Sequence, residues 1–322
     1  MRGETRTAHS KWVISLLDRP HQEARRLLQS GAPVYLAVNP VEFHGPHLSL
    51  HNDALLSRGL TEALHARLQV KHDWPLLFGG ELELGVEPAP GPGSRHTPYR
   101  IAVGRIEEAC RALVELGAKR VVLMTFHGNP FHSLALGAGV ALLAKAKVPA
   151  LVPMNLLLQA MLNVDVAAYA PAYAHLAAAD RDRLLPALPS DFHAGFFETS
   201  LALHFAPETV DPSYVELPPC PTFLPDPGML AAARGARALG KRQLAAELEL
   251  AAIGKGWQTL QPFPGYTGEP AKATAAAGGF FAEKILSLWA PRTEAVLLQG
   301  ETPPEPIMGW LKTASLGGAI TA

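Results

Sequence analysis

Two cysteines, Cys110 and Cys220, are all that 322 residues contain, too few for a zinc ribbon or a disulfide framework. A reduced, cytoplasmic setting is the expectation. Charge of one sign is also missing: 28 basic against 29 acidic side chains leave a formal net charge of -1. With no basic stripe either, nothing marks a surface for nucleic acid or for an anionic membrane. No apolar run reaches the ~20 residues of a membrane span, because Lys145, Lys147, Pro149, Pro153, Asn155 and Asp165 interrupt the Ala/Leu-rich stretch from Ser133 to Ala179. The apolar piece Trp12 to Leu17 runs straight into Asp18-Arg19-Pro20 and is too short for a secretory signal core. The motifs His-Glu-x-x-His, Gly-x-Ser-x-Gly and Gly-x-Gly-x-x-Gly do not occur. Gly235 to Arg242 approaches a phosphate loop, but ends in Arg242 where Ser or Thr is needed and lies in an Ala-rich helical run, which argues against nucleotide binding.

What is present is a chain with 48% apolar residues, long enough to bury a full core, and a regular alternation of elements. Residues Pro20 to Ser30 have helical spacing and stop at Gly31, Pro33 to Val38 reads as a buried strand, and Asp53 to Val70 resumes helical spacing. Gly79 to Arg100 is rich in Gly and Pro and reads as a long loop. A helix from Arg105 to Leu116, a strand from Arg120 to Phe126, a helix from Ser133 to Ala146 and a strand from Pro149 to Pro153 follow. This βα alternation predicts an α/β fold with a largely parallel sheet covered by helices on both faces. Residues 155 to 189 are irregular, Glu198 to His204 and residues 228 to 255 are helical, 256 to 270 form a loop, and Ala271 to Trp289 is a final helix. The tail after Pro291 has no periodicity. No repeat or linker divides the chain, so residues 1 to 322 are expected to form one domain.

The twelve residues Glu42-Phe-His-Gly-Pro-His-Leu-Ser-Leu-His-Asn-Asp53 hold five carboxylate or imidazole side chains. Folding alone could use some of them, with Glu42 and Asp53 as helix caps and His44 in a turn. Their density, and the placement of this loop and of His127 after two successive strands, where parallel sheets carry their sites, point instead to a shared metal centre. Carboxylate and imidazole donors suit Zn, Mn or Fe. His65, His72, His96 and His204 read as structural, and His51 and His132 as solvated loop histidines.

These segments resemble the creatininase, or creatinine amidohydrolase, family. The first motif of that family, Glu-x-His-Gly-Pro-His-Leu-Pro-Leu-x-x-Asp, is matched by Glu42, His44, Gly45, Pro46, His47, Leu48, Leu50 and Asp53. The second is similar to Thr125-Phe-His-Gly-Asn129, the third to His193-Ala-Gly-Phe-Phe-Glu-Thr-Ser200, and a late segment to Gly268-Glu-Pro-Ala-Lys-Ala-Thr274. Order and spacing agree over roughly residues 20 to 290. The resemblance implies a three-layer α/β sandwich with two divalent metal ions per subunit, bridged by Asp53. Glu42 and His127 would complete one site and His44 the other, with Glu198 a further ligand. It implies His193 as acid/base and His47, Gly128 and Asn129 as groups around the ligands or the substrate. A small-molecule substrate and a homo-oligomer, hexameric in many members, are also implied.

The departures are Phe43, Ser49, Thr125-Phe126, a missing motif glycine and Phe196 where a glutamate is common. The ligand set is kept, while three phenylalanines stand near the expected pocket, which predicts an altered substrate shape. Gly128, Asn129 and Pro189 occupy places where creatinine hydrolases carry an aromatic residue, a glutamate and a tryptophan, so creatinine itself is not the expected substrate. The expected activity is metal-dependent hydrolysis of a non-peptide carbon-nitrogen bond, such as a cyclic amide, by a metal-activated water. Two other readings fit the same residues: a peptidase maturing a small peptide, as in mycofactocin processing, and a catalytically silent metal-binding subunit.

Overall fold

The computed structural model describes residues 13–316. The N-terminal residues up to Trp12 and the Gly-Gly pair near the end lie outside them. Five strands, β1 (Val13–Ser15), β2 (Val34–Asn39), β3 (Leu76–Glu83), β4 (Val121–Met124) and β5 (Ala150–Leu151), form one sheet in the order β1-β3-β2-β4-β5, and every pairing is parallel. Every residue of β2 and β4 is buried, as expected of central strands covered on both faces.

Helices α1 (His21–Leu28), α2 (Asn52–Gln69), α3 (Tyr99–Leu116) and α4 (Pro130–Lys145) alternate with the strands. The chain runs from β2 out to β3 and then back past β2 to β4. Right-handed crossovers therefore put α2 on one face and α3 with α4 on the other. Seven further helices follow: α5 (Met154–Met161), α6 (Ala178–Ala187), α7 (Phe196–Phe205), α8 (Pro227–Ala238), α9 (Arg242–Gln258), α10 (Ala275–Gln299) and α11 (Leu311–Ala314). Helix α10 packs on α2 and α7, and α8 on α9. The result is a three-layer α/β sandwich. The α7–α10 crossing is close: a Cβ at Gly278 would lie 1.9 Å from the Ser200 carbonyl oxygen. No helix among the described residues is long and apolar enough to cross a membrane.

Several sequence expectations need correcting. The Gly79–Arg100 loop is shorter than expected, because β3 takes its first residues and α3 begins at Tyr99. Gly79 and Gly80 are strand residues at an irregularity: the β2–β3 register shifts between Tyr35 and Ala37, Gly80 has φ +107°, and a Cβ at Gly79 would sit 2.6 Å from Val34 Cγ1. Such glycines mark a bulge and a close backbone approach rather than a loop. The 228–255 run is two helices, broken at Gly240 in the left-handed region; the phosphate-loop-like residues are this turn. The last long helix continues through Pro291 to Gln299, and the tail beyond it includes α11. Residues 155 to 189 comprise α5, a 3-10 turn and α6.

Candidate metal centre

The crevice beyond the carboxyl ends of β2 and β4 is where the connections leave toward opposite faces of the sheet, the usual ligand site of an open parallel sheet. The loop after β2 delivers Glu42 and His44 there, and its return into α2 delivers Asp53. This corrects the helix-cap alternative, since Asp53 lies inside α2 and the residue flanking its start is His51. The loop after β4 delivers His127. Glu198 comes from the first turn of α7 and His193 from the segment before it. Three sets of these side chains, Glu42–His44–His193, Glu42–Asp53–His127 and His44–Asp53–Glu198, each bring one donor atom apiece to within 4.8 Å of one another.

Backbone acceptors fix the imidazoles. His44 Nδ1 donates to the Glu42 carbonyl oxygen at 3.0 Å, so its Nε2 carries the lone pair. That atom lies 3.4 Å from Asp53 Oδ1, 3.8 Å from Glu198 Oε2 and 3.9 Å from Glu42 Oε2. His127 Nε2 donates to the Val86 carbonyl oxygen at 3.1 Å, leaving Nδ1 2.9 Å from Glu42 Oε2 and 3.7 Å from Asp53 Oδ2. A backbone carbonyl only accepts, so in the neutral ring the opposite nitrogen must be the acceptor. Glu42 Oε1 accepts from the Ala89 amide, and Glu198 Oε2 accepts from the Ala194 amide at 2.6 Å.

Two atoms of this buried group, His44 Nε2 and Asp53 Oδ2, have no hydrogen-bond partner, and Glu42 Oε2 meets only the ring nitrogen His127 Nδ1, at 2.9 Å. An unsatisfied buried polar atom costs about 1–3 kcal/mol, so this grouping is not explained by stability. The separations of 3.4–3.9 Å around His44 Nε2 are too long for good hydrogen bonds. They are close to the ~3.4 Å between two ligands of a tetrahedral ion bound at ~2.1 Å. Three carboxylates and two or three imidazoles are a donor set able to hold divalent metal, and the residues fit such a group.

Electrostatics bear the same mark. Burial opposes the charge on Glu42, yet His127, His193 and His44 hold its carboxyl well below the usual range. Burial likewise opposes protonation of His44, but Asp53, Glu42 and Glu198 raise it to about 10. His127 rises to about 9 against burial, through Glu42 and Asp53. Burial raises Glu198 to about 8, and raises Asp53 as well. His193 falls to about 3, through burial and the neighbouring His44, on which its ring stacks at 4.3 Å. In the metal-free state, protons on His44 and His127 stand where cations would neutralise the carboxylates.

The remaining expected residues surround this group. His47 Nε2 donates to Thr199 Oγ1 at 2.9 Å, and Thr199 in turn donates to the Ala194 carbonyl oxygen at 3.1 Å, tying the first motif to α7. Asn129 caps α4, accepting from the Phe131 amide at 2.8 Å, and donates to the Glu87 carbonyl oxygen at 3.2 Å. Gly128 lines a cavity beside the cluster. His51 is exposed and faces Glu83 at 3.5 Å. His132 is not a solvated loop residue: it is fully buried on α4, bonded to the Val38 carbonyl oxygen at 3.2 Å and packed edge-on against His127 at 5.0 Å. Of the three phenylalanines, only Phe126 lines the cavity. Phe196 stacks on Tyr173 at 4.6 Å in the core, and Phe43 packs where a Cβ at Gly91 or Gly265 would otherwise lie.

Two positions escaped the sequence reading. Asp191 is buried, accepts from the Phe197 amide at 3.0 Å and so holds the start of α7; a Cβ at Gly195 would collide with it at 1.7 Å. Ala194 adopts φ +47°, a strained conformation costing about 1–3 kcal/mol. It turns the chain so that His193 and Glu198 face the same centre. A non-glycine residue inside a His-Ala-Gly turn was the available signal.

Comparison with known proteins agrees with this geometry. The sequence profile of the creatinine amidohydrolase (creatininase) family matches residues 18–291. The chain belongs to the creatininase family. No curated protein matches it in sequence. Among solved structures it resembles a creatinine amidohydrolase (creatininase) at 19% identity and TM-score 0.59, covering 88% of this chain and 98% of that one. It resembles a manganese creatininase at 19% identity and TM-score 0.59, over 89% and 99% of the two chains. A Zn-Zn type glutamate-to-glutamine mutant creatininase matches at 18% identity and TM-score 0.59, over 88% and 98%. At these identities the likeness of this creatininase-family chain to those neighbours is one of fold.

Proposed function

We propose that this creatininase-family protein is a metal-dependent amidohydrolase acting on a non-peptide carbon-nitrogen bond. Two divalent ions of the Zn, Mn or Fe type would be held by Glu42, His44, Asp53, His127 and Glu198, with Asp53 between them. The observation that carries this reading is the convergence of buried donor atoms from separate loops on one centre, with His44 Nε2 and Asp53 Oδ2 left without a hydrogen-bond partner. The manganese and Zn-Zn creatininases support the choice of metals.

Bound cations would polarise an amide oxygen and lower the pKa of a water to near ~7. The chain's own residues supply the rest. His44 and His127 are held with their lone pairs toward the centre by the Glu42 and Val86 carbonyls. His193 Nε2 donates to the Phe43 carbonyl oxygen at 2.9 Å, which leaves Nδ1 as the atom that can take a proton. Burial keeps this imidazole neutral, so it can accept a proton from water and return it to a leaving nitrogen, a step worth ~100- to 10,000-fold. His193 also reaches the cluster with Glu42 and His44, so it belongs at the edge of the metal centre as well as beside the substrate.

The test is removal and return of metal. Protein stripped with chelator should hydrolyse no amide of a cyclic and acyclic panel, and Mn or Zn should restore activity. Full metal occupancy without hydrolysis across the panel would instead favour a silent metal-binding subunit.

A further inference from the structure

The cavity beside the cluster has a volume of about 330 Å³, the size of a small-molecule site. Its wall is hydrocarbon. Phe126 after β4, Phe131 of α4, Leu158 of α5, Phe197 of α7 and Trp257 of α9 face it. Polar lining side chains outside the cluster are few, and the carboxylate of Glu87 is one of them. Asn129 caps α4, Lys255 is exposed and pairs with Asp226 at 2.9 Å, and Gln258 is exposed.

One part of the wall comes from beyond the family match, which ends at residue 291. Trp310 and Leu311 line the cavity, and the segment bearing them is anchored. Asn155 Nδ2 donates to the Pro304 carbonyl oxygen at 3.1 Å, and Trp310 Nε1 donates to Glu247 Oε2 at 2.9 Å. Ile307 and Met308 beside them are buried. This is a built wall with its own hydrogen bonds.

We infer, resting on the amidohydrolase reading, that the substrate is an amide whose non-reacting part is an aromatic or hydrocarbon group of roughly ten to fifteen heavy atoms, and that Trp310 selects it. A small polar ring would leave the apolar wall wet and find few polar partners outside the cluster. An apolar substituent would bury against it, and the amide would be left at the polar end.

Calorimetric titration of the metal-loaded protein with acetamide, 4-phenylbutanamide and the similarly long but charged 4-guanidinobutanamide tests this. The phenyl compound should bind at least about tenfold tighter than either of the others. Trp310→Ala should lose most of that preference and Trp310→Phe regain it, both with wild-type metal content. Equal binding of the phenyl and guanidino compounds, or a preference untouched in Trp310→Ala, overturns the inference. Apolar preference without hydrolysis keeps the inferred pocket and overturns the amidohydrolase reading, and hydrolysis without preference does the reverse.

Discussion

At the ends of β2 and β4, six acidic and imidazole side chains crowd together with His44 Nε2 and Asp53 Oδ2 left unpartnered, while the cavity next to them is walled by phenylalanine, leucine and tryptophan. The first region costs the fold free energy through desolvation and unmet hydrogen bonds. The side chains of the second return free energy by what they bury behind the wall, as Phe126 and Trp257 do. Stability and chemistry are thus carried by neighbouring but separate groups, and substitutions in the two regions should fail in opposite ways.

The largest separation is expected from Asp53→Asn. Both candidate ion sites use this carboxylate, so metal uptake should collapse and hydrolysis fall on the order of a thousandfold. The thermal midpoint of the metal-free protein should hold or rise, because a buried charge with an unpartnered oxygen has been removed. Trp257→Ala should do the converse. Trp257 is 3% exposed and its Nε1 donates to the Tyr266 carbonyl oxygen at 3.0 Å. Its truncation should cost about 3–5 kcal/mol in urea unfolding and leave the metal stoichiometry intact. A large loss of metal-free stability in Asp53→Asn, or loss of metal in Trp257→Ala, would break the comparison.

A smaller and graded effect is expected from pH. In the metal-free protein His44 titrates at about 10 and His127 at about 9, so cations must displace their protons, and metal affinity should rise about ten- to a hundredfold per pH unit from pH 7 toward 9. Both folded values exceed the ordinary ~6.5. Their stabilising contribution is therefore complete below about 6.5 and lost as pH rises through 9 to 10. Glu198, raised to about 8, has the same sign. Melting curves with and without chelator should show the metal-free midpoint falling over this range while the increment from metal grows. An increment that shrinks with rising pH would contradict the ligand assignment.

The smallest effect belongs to Asp191, which supports the cluster from behind. Burial raises its carboxyl to about 7, above the ordinary ~3.9, so its contribution is lost as pH rises toward 7. Asp191→Asn keeps an acceptor for the Phe197 amide and should change stability by less than about 1 kcal/mol at pH 8, toward greater stability. Asp191→Ala should lose about 1 kcal/mol of helix-end stabilisation, and urea unfolding of both variants separates them.

The two regions also differ in how far they could be read from the chain. The cluster was legible because each of its members sits in a short contiguous motif on a strand-end loop or helix start. β2, β4 and α3 were legible because buried parallel strands and an amphipathic helix impose distinct periods. The wall was not, since α4, α5, α7, α9 and the segment around Trp310 meet only after the sheet has closed, and no local pattern announces a cavity. Phe43 and Phe196 misled for the same reason: nearness to a motif in sequence placed them at the pocket, whereas their rings point into other parts of the fold. His132 was misplaced because only the docking of α4 buries it. The three-residue strand β1 is too short for a period, and the bulge glycines of β3 imitate a loop.

Anomalous diffraction from crystals loaded with manganese or zinc tests the central claim most directly. Two peaks per chain are expected, one beside Glu42 and His127 and one beside His44 and Glu198, with Asp53 touching both, and no peaks in Asp53→Asn. A single peak, peaks away from these side chains, or two peaks that persist in the variant would contradict that claim.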